Sequence, residues 1–157
     1  MKYKIYCDGA ASNNGYENAI GGWGFVILDE NEEIIAEGAE RVDGATNNRM
    51  ELYAAVMGVL RAAEIINEKK LENVELEVYT DSAYLHNCKE QHWYGNWLKN
   101  NWRNSKKQPV ANKDLWEHII PLFENPKIEF FKVKGHANDK WNEYVDNLAV
   151  QARKSEG

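Results

Sequence analysis

Alternating apolar and polar positions open the chain. From Lys4 to Asp8 the residues read as a strand, with Tyr3, Ile5 and Cys7 on one face and Lys4, Tyr6 and Asp8 on the other. A Gly/Asn-rich turn is expected from Gly9 to Gly22, and then two more strands, Trp23 to Leu28 and Glu33 to Val42, joined by the polar turn Asp29-Glu30-Asn31-Glu32. These three strands read as an antiparallel meander. Asn47 or Asn48 then opens a long helix to about Asn67 that is apolar over much of its circumference, through Met50, Leu52, Tyr53, Ala54, Val56, Met57, Leu60, Ala63 and Ile66. Such a helix packs against a sheet. Alternation returns from Val74 to Asp81, with Val74, Leu76, Val78 and Thr80 inward. A strand, a crossover helix and a strand in one sheet make a parallel pair, so the strand ending at Asp81 is expected beside and parallel to the one ending at Asp8.

Three helical pieces follow: Ser82 to about Gln91, a Trp-rich piece from Tyr94 to Trp102, and Lys113 to Phe123, which Pro121 is expected to end or bend. Ile128 to Val133 reads as the fifth strand, Gly135 to Lys140 as a loop, and Asn142 to Arg153 as a terminal helix with Val145, Leu148, Ala149 and Ala152 on one face. The pattern is α/β: a five-stranded mixed sheet, antiparallel at its start and parallel at its finish, flanked by helices.

Composition adds boundaries to this picture. The 157 residues fit one domain, 1–157, and 43% hydrophobic with 28% charged residues is ordinary for a water-soluble fold. No apolar run approaches the roughly 20 residues that span a bilayer, and the first residues lack a secretion signal, so no membrane partner is expected. Two cysteines, Cys7 and Cys88, make neither a disulfide framework nor a zinc motif, and a reducing cytoplasm is the expected compartment. The net charge of −6 speaks against a polyanionic partner, but its distribution speaks the other way. Between Gln91 and Lys113 there is no Asp or Glu, while Lys99, Arg103, Lys106, Lys107 and Lys113 are present. One face can therefore attract phosphates although the molecule as a whole is acidic.

The acidic side chains carry the chemistry. Cys7-Asp8-Gly9 and Thr80-Asp81-Ser82 place two carboxylates at the carboxyl ends of neighbouring strands, where open α/β sheets bind ligands. Two such anions repel, and a divalent cation is the natural remedy. Each acid also has a plainer reading: Asp8 opens a turn, and Asp81 caps the helix that follows. Glu51, three residues after Asn48, has the spacing of a capping box. Asp146 sits about 100° from Val145 around the terminal helix, as a boundary acid can. A lone loop histidine, His136, is ordinarily a solvated bystander.

Taken together, Asp8-Gly9, the run Thr46-Asn47-Asn48-Arg49-Met50-Glu51-Leu52, Thr80-Asp81-Ser82, and Lys134-Gly135-His136-Ala137 with Asn142-Glu143 and Asp146 resemble type 1 ribonuclease H in order, interval and element, from about residue 2 to residue 152. The resemblance implies the ribonuclease H-like fold. It also implies endonucleolytic hydrolysis of the RNA strand of RNA–DNA hybrids, leaving 5′-phosphate and 3′-hydroxyl ends. Asp8, Glu51, Asp81 and Asp146 would hold two magnesium ions, for which manganese can substitute, with Asp8 shared between them. His136 would assist proton movement or product departure.

The same likeness assigns the substrate contacts. Gly9, Asn14, Asn47 and Asn48 would read the minor groove and its 2′-hydroxyls. Thr46 would hold a DNA phosphate, and Asn142 belongs to the matched motif set. Trp93, Trp97 and Trp102, interleaved with Lys106 and Lys107, would grip the DNA strand. The chain departs from the family in a longer Gly9–Gly22 segment, a longer spacing between Asp81 and Trp97, and a basic region thinner in lysine. A monomer with no obligate protein partner is expected. Three other readings remain: a nuclease of DNA junctions on the same sheet, a non-catalytic nucleic-acid-binding domain of this fold, and a structural calcium site.

Overall fold

The computed structural model describes residues 1–12, 18–133 and 139–155. Its elements in chain order are β1 (Lys2–Ser12), β2 (Ile20–Leu28), β3 (Ile34–Asp43), α1 (Asn47–Glu68), β4 (Glu75–Thr80), α2 (Ala83–Glu90), α3 (Trp93–Lys99), α4 (Lys113–Phe123), β5 (Ile128–Lys132) and α5 (Lys140–Lys154). One five-stranded sheet runs in the order β3-β2-β1-β4-β5. The β1–β2 and β2–β3 pairs are antiparallel, and β1–β4 and β4–β5 are parallel. This is the mixed sheet that the strand patterns imply.

The sheet is covered on both faces. Ile5, Cys7, Trp23, Phe25 and Val78 pack under α1 and α4 in the larger core, whereas Tyr6, Val26 and Leu28 pack with Trp141 and Val145 of α5 on the other face. Burial on both sides explains why β2 is buried along nearly its whole length instead of alternating. On the α5 face, Tyr6, Tyr79 and Phe131 stack across three strands with ring centroids 4.6 and 5.1 Å apart. Leu60, counted on the apolar side of α1, is 50% exposed, so the buried stripe of that helix is narrower than its composition suggests.

The turn expected from Gly9 to Gly22 is strand at both ends, in residues 9–12 and 20–22. β1 continues through Gly9 to Ser12 because β2 keeps pairing with it, Ala10 with Gly22 and Ser12 with Ile20. The parallel ladder with β4 stops earlier, at Tyr6 opposite Tyr79. Asp8 therefore lies just past the end of the parallel pair while remaining held in the antiparallel one. Pro121 does not end α4 but lies within its last turn. It sits on the exposed side, as does Glu117, the residue whose carbonyl the proline cannot reach.

Candidate active site

Asp8 and Glu51 meet because α1 starts almost in contact with β1. A Cβ on Gly9 would lie 2.4 Å from the Glu51 nitrogen and 2.4 Å from the Met50 carbonyl carbon, so only glycine admits this approach. Thr46 caps α1: its Oγ1 accepts from the Arg49 nitrogen at 3.1 Å. Glu51 is thus one residue beyond the capping turn, and the capping box suggested by Asn48 and Glu51 does not form. The cap of α2 likewise falls to Ser82, whose Oγ accepts from the Leu85 nitrogen at 3.1 Å. Asp81 is released from the capping role that its position suggests. With local explanations removed for both acids, their carboxylates are free to serve a ligand.

Oxygen atoms of Asp8, Glu51 and Asp81 lie within 4.8 Å of one another. Asp146, on α5, lines the same cavity of about 460 Å³, along with Asn47 and Asn48 from the first turn of α1. Asp8 is 2% exposed and Glu51 8%, yet Glu51 Oε2 has no hydrogen-bond partner. Burial pushes the Asp8 carboxyl far above the ordinary carboxylate range, and the charge of Glu51 pushes it further. Glu51 is also raised, chiefly by burial, with the hydrogen bond to Asp8 partly offsetting it. Buried acids crowded this closely are stable as anions only beside a cation. The donors are all hard oxygen atoms, with an orphaned carboxylate oxygen among them, and that set suits a hard divalent cation. Cys7, directly beneath, is fully buried with its thiol pushed well up by burial and by Glu51, so it offers no thiolate for nucleophilic attack.

Other sequence assignments are distributed as follows. Asn142 is buried in the first turn of α5, where Asp139 caps the helix by accepting from the Trp141 and Asn142 nitrogens at 3.1 Å each. Trp93, Trp97 and Trp102 form a ladder with centroid separations of 6.4 and 5.8 Å, and each packs partly against the main core. Their outer edge contributes to a groove of about 320 Å³ in which Trp93 and Trp97 are joined by Asn96, Asn100, Arg103 and Asn104. Lys106 and Lys107 are exposed on the adjoining turn, which Asn104 organises by accepting from the Lys106 and Gln108 nitrogens. Asn14 and His136 lie outside the described residues.

Two basic residues were given no role of their own by the sequence reading. Arg49 clamps the start of α1 to Asp114 at the start of α4, through Nη1–Oδ1 and Nη2–Oδ2 distances of 3.0 and 2.7 Å. Arg153 joins the acids in lining the cavity. The second had a visible signal: it follows Asp146 by seven residues, two helical turns, and so faces the same way.

The RNase H family model matches residues 1–154. A ribonuclease H of Syntrophomonas wolfei is 45% identical over 154 residues, covering 98% of this chain and 97% of the relative. One from Clostridium botulinum is 40% identical over 151 residues, covering 96% and 95%. Among solved structures, RNase H1 of Halobacterium salinarum superposes with a TM-score of 0.68 at 20% identity, covering 98% of each chain. LC11-RNase H1, solved in complex with an RNA/DNA hybrid, superposes with a TM-score of 0.66 at 23% identity, covering 97% of this chain and 96% of its own. No helix among the described residues is long and apolar enough to cross a membrane.

Proposed function

The chain belongs to the ribonuclease H family, type 1, and from that premise we propose that it hydrolyses the RNA strand of RNA–DNA hybrids at the Asp8–Glu51–Asp81–Asp146 cavity, using two magnesium ions and leaving 5′-phosphate and 3′-hydroxyl ends. The observation that carries this reading is the convergence of three carboxylates from β1, α1 and the end of β4 within 4.8 Å. Asp146 enters the same cavity from the opposite face of the sheet.

The substrate is itself an anion, so these acids would repel it unaided. Asp8, Glu51, Asp81 and Asp146 would hold a pair of divalent ions, which would supply Lewis acidity and ease deprotonation of the attacking water. The chain's own residues then do the positioning. Asp8 would be a ligand common to the pair. Gly9, Asn47 and Asn48, on the cavity rim, present backbone and amide groups to ribose 2′-hydroxyls, which distinguish RNA from DNA. In the hydrolysis a water oxygen bonds to phosphorus as the bond to the 3′ oxygen breaks. The water gives up a proton and the departing oxygen gains one. His136 takes part in that proton movement or in product departure, and Asn14 joins the minor-groove contacts. Thr46 holds a DNA phosphate near the head of α1, and Asn142 is a further substrate-binding residue. Trp93, Trp97, Trp102, Lys106 and Lys107 bind the DNA strand some distance from the cut. The enzyme works as a cytoplasmic monomer, and residues 1–157 form one catalytic domain.

End-labelled RNA–DNA hybrid, duplex RNA and duplex DNA, each incubated with and without Mg2+, test this function. Cleavage of the hybrid alone, confined to RNA, Mg2+-dependent and yielding 5′-phosphate ends, is expected. Tight hybrid binding with no cleavage in Mg2+ or Mn2+ would instead mark a non-catalytic binding domain.

A further inference from the structure

We propose that Arg153 grips a phosphate of the RNA strand next to the scissile linkage, making it a substrate-positioning residue of the catalytic cavity, a role that rests on the hybrid-cleavage reading above. Arg153 supplies the one Lys or Arg side chain among the described residues lining the cavity that holds Asp8, Glu51, Asp81 and Asp146. Its Nε is buried and has no hydrogen-bond partner. No ion pair within 4.0 Å among the described residues includes it. A buried guanidinium donor without an acceptor is rare in native structures and points to an acceptor that arrives from outside.

The surroundings fix where that acceptor must come from. The backbone of α5 is pressed onto β2: a Cβ on Gly22 would lie 2.3 Å from the Ala149 carbonyl oxygen and 2.6 Å from the Arg153 nitrogen. Gly22 pairs with Ala10, and Ala10 and Ala11 line the cavity with side chains too small to fill it. Arg153 therefore stands on a rigid element at the wall of the cavity that holds the acids. Arg41, a nearby cation, is committed elsewhere: it pairs with Asp43 at 2.7 Å and donates to the Ser155 carbonyl, which tethers the end of α5.

An arginine presenting Nε–H together with an Nη–H matches two oxygens of a phosphate in a fork. The acids of the same cavity stand too far off to be that partner, since none pairs with it. A fixed cation on the wall of an otherwise anionic cavity gives the RNA backbone a foothold that exists before any divalent ion binds. That separates its contribution from the one made through the metal ligands.

The test measures hybrid affinity without divalent ions across a range of salt, for the wild type, Arg153→Ala, Arg153→Gln and Arg153→Lys, with the melting temperature of each. Arg153→Ala is expected to weaken binding about tenfold and to lower the slope of log affinity against log salt by about 0.7–0.9, the effect of one lost phosphate contact. Arg153→Lys should keep the slope and recover only part of the affinity, because a point charge cannot fork. In Mg2+, KM should rise more than kcat falls. A single uncharged methylphosphonate walked along the RNA should weaken wild-type binding at one position beside the cut and leave Arg153→Ala unaffected there.

Unchanged slope, affinity and methylphosphonate profile in a folded Arg153→Ala or Arg153→Gln protein would overturn the assignment. If both fail to fold, a wild-type and Arg153→Lys profile with the same sensitivity at every linkage does so. A wild type that cuts hybrids normally while Arg153→Ala is indistinguishable from it sinks this proposal alone. A wild type that binds hybrids through Arg153 but never cuts them sinks the catalytic reading and leaves the phosphate contact standing.

Discussion

Arg49 and Asp114, 65 residues apart in sequence, face each other fork to fork, and their pairing fixes the helix turn that presents Glu51 to the cavity. Arg49 also donates to Asn112 Oδ1 at 3.3 Å. Asn112 in turn donates to the Tyr84 hydroxyl at 3.4 Å, and Tyr84 lines the cavity. The hydrogen bond from Arg49 holds the Asp114 carboxyl down to about 2. Its side chain is 63% exposed, so solvent screening limits the stabilisation to below about 1 kcal/mol. Asp114→Asn is therefore expected to shift the melting temperature little while lowering kcat several-fold through a displaced Glu51, with Arg49→Lys intermediate. A kcat equal to wild type in Asp114→Asn would show that the first turn of α1 holds its place without the clamp.

The buried acids make the metal-free protein sensitive to alkali. The folded pKa values of Asp8 and Glu51 lie above the unfolded values of about 4, so the native state binds protons that the unfolded state has released. Their contribution favours folding at and below about pH 4 and is lost as pH rises through the range between the unfolded and folded values. In EDTA, stability attributable to this pair should fall between pH 5 and pH 8, and Asp8→Asn should flatten that fall and raise the melting temperature at pH 8. Added Mg2+ should stabilise the wild type more than Asp8→Asn. A melting temperature profile identical in wild type and Asp8→Asn would contradict the crowding of charge.

Gly9→Ala places a methyl group against backbone, where no side chain can move aside. The start of α1 must shift, at an expected cost of about 1–3 kcal/mol. Activity should drop further than stability, since Glu51, Asn47 and Asn48 all move with that turn. Denaturant titration together with kcat measures both. A variant with wild-type stability would mean that β1 can yield at Gly9.

Lys106 and Lys107 lie on an exposed turn beside the tryptophan groove. Replacing both with Ala should reduce the salt slope of hybrid affinity by up to about 1.8, two phosphate contacts, and leave kcat at saturating substrate near its original value. An unaltered slope would place the DNA strand elsewhere.

Much of this arrangement was legible in the residues because it depends on short-range pattern. Alternation around Ile5 and Val78, and the apolar character of α1, define the sheet and its crossover, and parallel pairing of β1 with β4 follows from handed connection rules. The place of Asp81 just past the end of β4 follows too, whereas Asp8 lies inside β1 and is past the end only of its parallel ladder with β4. What pattern could not resolve was competition among neighbours for one local role. Asn48 and Asp81 are good caps, but Thr46 and Ser82 took the caps, and that outcome is what leaves the acids available. The extension of β1 to Ser12 depended on a partner strand whose glycine-rich start reads as a turn. The Arg49–Asp114 clamp joins two helix starts whose proximity only the packed fold creates. In the aromatic segment, one residue serves two surroundings: Trp97 packs at a tilt against buried Trp116 with centroids 5.4 Å apart and also lines the groove.

Single-turnover cleavage of a labelled RNA–DNA hybrid over a Mg2+ titration, by the wild type and by Asp8→Asn, Glu51→Gln, Asp81→Asn and Asp146→Asn, confronts the shared four-acid site directly. RNA cutting that requires Mg2+ and slows by about a hundredfold or more in each folded variant, as removal of a charge-stabilising group does elsewhere, is the expected result. Undiminished cutting in EDTA, or by Asp8→Asn, would show that the chemistry takes place without this cluster.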